Sequence, residues 1–283
     1  MAVIIDIYYY DIDAYTDFIG EENAENLSRK GFGGLAAHDS KDGNLSGALV
    51  WQQKDDEEGV PGTEFQFYNS VNYEAGLQLL QELFSREDEE GIEKNWFEFP
   101  DLSDDAKKTL LDSGFSLEEK ESRDLYKTIG EIAENKAFKI KIIPPYIIPL
   151  SKLDPVGFER GIARLMFAGH KGTESDLSSI PMEWFEQDIS CCLITDDRVT
   201  GMVLIRKCAD GILMPVLLYT SGVEGAKELL KMLGFSVQAA RNKYGEETRV
   251  RLRRHDGKSF NLAAHLFPGA TGEKVTAGIR MRS

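Results

Sequence analysis

Apolar positions along the chain alternate between a two-residue and a helical period, and the succession comes round twice. Val3 to Tyr10 is a β-rich run, and Asp13 to Lys30 is helical in character with a break at Gly20. Gly34 to Ala37 and Leu45 to Trp51 flank a polar Asp42-Gly43-Asn44 bend, the pattern of a β-hairpin. After a polar loop, Asp55 to Gly62, Glu64 to Asn69 reads as a strand. Tyr73 to Phe84 reads as a helix with Leu77, Leu80 and Phe84 on one face, and Arg86 to Lys94 as a solvated charged stretch. Trp96 to Phe99 predicts a strand, Ser103 can cap the helix after it, and Gly114-Phe115 ends that helix. Leu117 to Lys127 predicts one more strand, rich in exposed charge.

Pro144, Pro145 and Pro149 mark a non-helical joint over Asn135 to Pro149, which sets units at 1–138 and 139–283. The second half predicts a helix (Pro155 to Ala168), a Gly/Ser/Thr loop (Gly169 to Ser179) and a short helix (Pro181 to Gln187). A hairpin through Asp196-Asp197 follows, then a strand (Ile212 to Thr220) and a long helix from near Val223. Gly234 falls inside that helix: Leu229, Leu230, Leu233 and Val237 keep the period across it, although a mid-helix Gly costs about 1 kcal/mol. Thr248 to Arg253, Ser259 to Phe267 and Val275 to Met281 complete the half as strand, helix and strand.

The two halves match locally. Tyr68-Asn69-Ser70 is echoed by Tyr219-Thr220-Ser221 at an offset of 151, Gly47 by Gly201 at 154, and Ser103 by Ser259 at 156. Such a period is too long for a solenoid, whose units run about 20–50 residues, and fits a duplicated αβ unit. A length of 283 residues agrees with two domains of roughly 150.

A formal charge of −15 argues against nucleic acid and anionic membrane as partners, and for a cationic small molecule or basic peptide. Arg241 to Ser283 runs the other way, with ten Lys or Arg against four Asp or Glu, and Arg249, Arg251 and Arg253 share one strand face. That segment reads either as a basic sheet edge beside acidic helices or as an anion site. Cys191, Cys192 and Cys208 give no disulfide framework and no metal spacing, and the adjacent pair should point to opposite sheet faces. The N-terminus has no secretory pattern, and the longest apolar stretch, Ile212 to Tyr219, falls short of the ~20 residues of a membrane span, so a cytoplasmic protein is expected. Walker, dinucleotide, G-x-S-x-G and H-E-x-x-H motifs do not occur.

The order of elements resembles the GNAT N-acetyltransferase superfamily, twice over. There two helices precede a β-hairpin, followed by a strand, a cofactor-binding helix, a strand, a helix and final strands. Leu110-Leu111-Asp112-Ser113-Gly114-Phe115 is also similar to the L-x-x-x-G-F ending of that family. The resemblance implies an α/β (α+β) fold of two tandem GNAT-like units, each a mixed, mostly antiparallel sheet flanked by helices. It implies transfer of an acetyl group from acetyl-CoA, or another acyl-CoA, to a small amine or basic peptide. The thioester and pantetheine would lie on backbone N–H groups of the fourth strand, around Leu218 in the second half. The pyrophosphate would sit at the next helix N-terminus, where free N–H groups favour anions. Gly222 and Gly225 open that helix in the second half, with Lys227 to offset Glu224; in the first half Glu74 stands there. Tyr219 and Tyr68 are the candidates to protonate the leaving thiolate, and Glu64 and Asp210, which open the same strands, are the candidate bases. At most one half is then expected to work, and a non-catalytic pair of binding modules is the alternative.

Overall fold

The computed structural model describes residues 2–56, 58–140, 142–167, 177–208, 211–221, 224–254 and 257–282. The chain forms two compact units, Met1–Ser122 with Glu273–Ser283, and Arg123–Gly272. Unit 1 begins with β1 (Ala2–Asp6), α1 (Thr16–Ile19) and α2 (Glu21–Leu27). It continues with β2 (Phe32–Asp39), β3 (Leu45–Asp55), β4 (Pro61–Ser70), α3 (Tyr73–Glu90), β5 (Lys94–Phe99), α4 (Asp104–Asp112) and β6 (Ser116–Glu121). Unit 2 contains β7 (Asp124–Thr128), α5 (Ile129–Glu134), β8 (Ile147–Pro149), α6 (Pro155–Phe167), β9 (Cys191–Thr195) and β10 (Arg198–Lys207). Its remaining elements are β11 (Leu213–Thr220), α7 (Gly225–Tyr244), β12 (Arg249–Arg253) and α8 (Gly257–Leu266). The last strand, β13 (Lys274–Met281), returns to unit 1.

Among the described residues, unit 1 has a seven-stranded sheet ordered β1-β2-β3-β4-β5-β13-β6 and unit 2 a six-stranded sheet ordered β7-β12-β11-β10-β9-β8. The strands pair antiparallel except β4 with β5 and β11 with β12. This is the mixed, mostly antiparallel architecture expected for each half. The boundaries differ from the expected 138/139. Leu117 to Lys127 is two strands, broken at Ser122-Arg123: β6 pairs with β13 in unit 1 and β7 with β12 in unit 2. β13 and β7 take equivalent slots, each beside the fifth strand of its sheet, so each unit is completed by a strand from across the boundary in sequence.

The repeat is real, but its tyrosines are out of register. In unit 1 the β3–β4 ladder shifts between Val50, opposite Phe67, and Trp51, opposite Phe65. In unit 2 the β10–β11 ladder shifts between Leu204, opposite Leu217, and Ile205, opposite Pro215. The extra residues are Gln66 and Val216, one β-bulge per copy. Aligned on these bulges, Ser70 matches Thr220 and Tyr68 matches Leu218, one residue short of the offset that pairs Tyr68 with Tyr219. A one-residue slip on a strand reverses the face. Tyr68 accordingly packs beside Leu79 and Leu80 of α3, whereas Tyr219 packs with the cluster that contains Phe158 and Leu165 of α6.

The unit 2 sheet is covered on both sides, by α7 and by α6, which explains why β11 is apolar at nearly every position. Cys191 joins the cluster of one face and Cys192 that of the other, as adjacent strand residues should. Burial pushes the Cys191 thiol up to about 12. Two expected segments differ locally. Pro181 to Gln187 forms a single 3-10 turn, Met182–Trp184, and most of the loop from Gly169 lies outside the described residues. Arg86 to Lys94 is largely exposed, as a charged stretch should be, but α3 continues through it to Glu90 and Glu87 is the exception. Glu87 is buried there and accepts two bonds from Asn95 Nδ2, at 2.7 and 2.8 Å.

Gly234 lies within α7, as the periodicity required. A Cβ at Gly234 would stand 2.3 Å from Ile140 Cδ1 and 3.1 Å from the Phe138 carbonyl oxygen, so its absence lets the segment after α5 lie directly on the helix. Gly234→Ala, which would gain about 1 kcal/mol in an exposed helix, is therefore expected to lose about 1–3 kcal/mol by overpacking. A raised urea midpoint for this variant would overturn the assignment. Among the described residues no helix is long and apolar enough to cross a membrane.

Candidate functional site

In unit 2, β11 and β12 are parallel but pair only at Leu213 and Val250. Beyond that pair β11 continues to Thr220 and β12 to Arg253. Between separating strands, backbone N–H and C=O groups lose their sheet partners, and a ligand can take them up. The bulge at Val216 lies on this stretch, where an unpaired extra residue re-aims the backbone.

A cavity of about 490 Å³ fills the gap, within the roughly 300–1,000 Å³ typical of small-molecule sites. Its floor is Pro215 to Thr220 of β11, and its walls are Ala226, Leu229 and Leu233 of α7 and Leu262 and Ala263 of α8. Arg253, Arg254, Lys258 and Ser259 give it a basic, polar margin. Arg254 donates through Nε to the Arg123 carbonyl at 2.7 Å, and its guanidinium lies 5.4 Å from the Phe260 ring. Arg249 and Arg251 serve the sheet edge: one stacks 4.6 Å from Tyr126, and the other lies 3.8 Å from Asp124. The basic C-terminal segment thus divides between the two readings that the sequence left open.

At the mouth α7 begins with no side-chain cap. The Thr220 hydroxyl donates to the Gly225 carbonyl at 2.7 Å, and a Cβ on Gly225 would stand 2.9 Å from the Thr220 hydroxyl oxygen. Glycine is therefore what lets strand and helix meet so closely. Leu218 and Tyr219 line the cavity. Lys227 is exposed, paired with Glu224 at 3.1 Å, and is not a lining residue. Gly222 and Asp210 lie outside the described residues. Tyr219 and Ser221 also line a smaller hollow of about 240 Å³ against α6, together with Arg164 and Arg198.

The same position in unit 1 is filled. β4 and β5 pair over Gly62 to Glu64 and then diverge. Phe65 lies between Phe97, at 6.2 Å, and Phe115, at 5.5 Å, with Phe99 stacked on Phe97 at 4.8 Å. Helices α3 and α4 are tied together: Tyr73 donates to Asp112 at 2.8 Å, and Lys108 sits 4.7 Å over the Tyr73 ring. Asn72 caps α3 by accepting from the Ala75 amide at 2.9 Å. Tyr68 is only 5% exposed, and burial pushes its hydroxyl up to about 12. That hydroxyl lies where a Cβ on Gly76 would come within 2.5 Å. Glu64 is held by Lys54 at 2.6 Å, Gln66 at 2.7 Å and the Trp96 indole at 3.2 Å. The predicted residues therefore divide: Leu218, Tyr219 and Gly225 gather at the unit 2 cleft, and Glu64 and Tyr68 belong to unit 1. Lys258 and the apolar residues of α5 were missed. Only the charge count pointed toward Lys258.

No family model matches the chain, and no curated protein matches it in sequence. Solved structures do match in fold. A tandem GNAT protein from the clavulanic acid biosynthesis pathway (without AcCoA) aligns at a TM-score of 0.63 and 8% identity, over 99% of this chain and 98% of that one. A conserved protein of unknown function from Enterococcus faecalis V583, described as a probable N-acyltransferase, aligns at 0.54 and 12% identity, over 99% of this chain and 72% of that one. A GCN5-related N-acetyltransferase from Kribbella flavida aligns at 0.53 and 12% identity, with the same coverages.

Proposed function

From a tandem GNAT fold whose two copies differ at the cleft, we propose that unit 2 binds an acyl-CoA and transfers its acyl group to a small amine, and that unit 1 binds none. The supporting observation is the contrast itself: an open, apolar-walled, basic-edged cavity between β11 and β12, against an aromatic-filled one between β4 and β5. The residues fit the group. Leu218 to Thr220 offer backbone along the pantetheine arm, the uncapped start of α7 suits pyrophosphate, and Arg253 and Lys258 add positive charge.

Bound acyl-CoA would supply an acyl carbon activated by its thioester; the amine nitrogen bonds to it as the carbon–sulfur bond breaks. In this reading Tyr219, which borders both the cavity and the hollow beside α6, gives the thiolate its proton. The hollow beside α6 opens from the same tyrosine and is the acceptor's place in this reading. Arg164 and Arg198 there oppose a peptide of several positive charges more than an amine of one, so a small amine is preferred.

One observation favours a second reading, a CoA-binding module without turnover. Among the described cavity-lining residues there is no Asp, Glu or His to deprotonate an ammonium. Calorimetry with CoA and acetyl-CoA is expected to give one site per chain; no heat at millimolar ligand would sink both readings. Thiol release from acetyl-CoA with any member of an amine panel then selects catalysis over the binding module.

A further inference from the structure

The unit 2 cavity reaches the point where the strands converge. Around the Leu213–Val250 pair it is lined by Ile129, Ile132, Phe138, Ile205, Leu213 and Val250, which form its apolar end. Each of the six is at least nine-tenths buried, and none carries a polar side-chain atom. The roof over this end comes from α5 and the segment after it, which lie on α7 because Gly234 has no side chain. Apart from Ser236 of α7, whose hydroxyl lies 3.7 Å from the Cys191 sulfur, the surroundings are apolar, and an apolar enclosure of this kind binds hydrocarbon in preference to water. The aromatic-packed cleft of unit 1 offers no counterpart.

We propose that this end is an acyl-chain chamber, so that the donor of unit 2 carries a chain of several methylenes rather than acetyl. The inference rests on the acyl-CoA reading above. With the thioester at the bulge and the nucleotide at the basic margin, the acyl group points toward Leu213 and Ile132. Acetyl would leave most of that space empty. Each added methylene leaves water for the chamber and is expected to raise affinity about fourfold until the chamber is full.

The test is a titration of the full chain with CoA, acetyl-, butyryl-, hexanoyl- and octanoyl-CoA, and with octanoate alone. The expected result is stepwise tightening from acetyl to octanoyl, at least 100-fold in total, with octanoate alone far weaker than octanoyl-CoA. Ala240, which lines the cavity from α7, is the position at which to fill the chamber. Ala240→Leu should bring octanoyl-CoA back to the affinity of acetyl-CoA and leave CoA itself unchanged. Ala240→Met, a more pliable side chain, serves if the leucine variant does not fold. CoA binding with no gain from chain length would overturn the chamber and leave the cofactor reading standing. Octanoate binding as tightly as octanoyl-CoA would make the chamber a free fatty-acid site and also overturn the proposal. Binding of no CoA species would remove both.

Discussion

Removing residues 273–283 should unfold unit 1 and leave unit 2 folded. The deleted strand β13 is interior to the unit 1 sheet, paired with β5 from Thr276 to Met281 and with β6 from Lys274 to Ile279. Its loss exposes the buried Val275 and Ala277 and uncovers Phe97, whose ring lies so near Gly278 that a Cβ there would stand 2.2 Å away. It also removes Arg280, which donates to Asn95 Oδ1 at 3.1 Å and covers the Phe84 ring at 3.7 Å. Asn95 in turn holds the buried Glu87 carboxylate. Two open sheet edges and a disrupted polar cluster together amount to the order of a domain's whole stability, ~5–15 kcal/mol. Hydrogen exchange reads the outcome. Amides of β3, β4 and β5 should lose protection, while those of β10 and β11 keep theirs. Full protection in β5 after the deletion would refute the strand assignment. Arg280→Ala is the milder version, expected to cost ~1–3 kcal/mol in unit 1 alone.

That exchange of strands was not legible along the chain, for a physical reason. Local alternation shows that Leu117 to Lys127 and Val275 to Met281 are extended, but a strand's partner is decided by which sheet edge buries it best. Ser122-Arg123 carries no Gly or Pro to mark the break between β6 and β7. The bulges were hidden likewise: a single extra residue, Gln66 or Val216, shifts every later position by one face and leaves the composition of the strand unchanged. The long helix through Gly234, the hairpins and the duplicated order were legible because each rests on spacing within one element. At the cleft, the offset of 150 that matches Ser70 to Thr220 pairs Glu74 with Glu224, so both helix starts carry the acidic residue and the contrast drawn from Glu74 does not separate the copies. The aromatic filling of unit 1 was not legible, since Phe65, Phe97 and Phe115 read as ordinary core until their rings are placed together.

Reversing the charge of Arg253 and Lys258 together should abolish CoA binding while leaving the fold intact. Lys258 stands in the first turn of α8, where the helix dipole disfavours a cation, and it borders the same cavity as Arg253 and Arg254. Positive charge gathered at a helix N-terminus works against the stability of the empty protein and suits a ligand that brings phosphates. A charge-assisted bond to phosphate contributes roughly 1.5–3 kcal/mol, so losing two of them predicts a fall in affinity of about 100-fold or more, and repulsion by the new carboxylates deepens it. Lys258→Glu alone should stabilise the unliganded protein by about 0.3–1 kcal/mol, because a carboxylate suits the first turn of a helix. A residue present only for solubility or packing would not show this opposition, tighter folding with weaker binding. The parallel change in unit 1, Lys107→Glu with Lys108→Glu on α4, should leave CoA affinity where it was, since Asn72 caps α3 and Tyr73 ties it to Asp112. Calorimetry in low salt and again at 0.5 M separates the cases, because screening weakens an exposed phosphate contact. Unchanged affinity in the Arg253/Lys258 variant, or a loss in the Lys107/Lys108 variant, would move the nucleotide site away from unit 2.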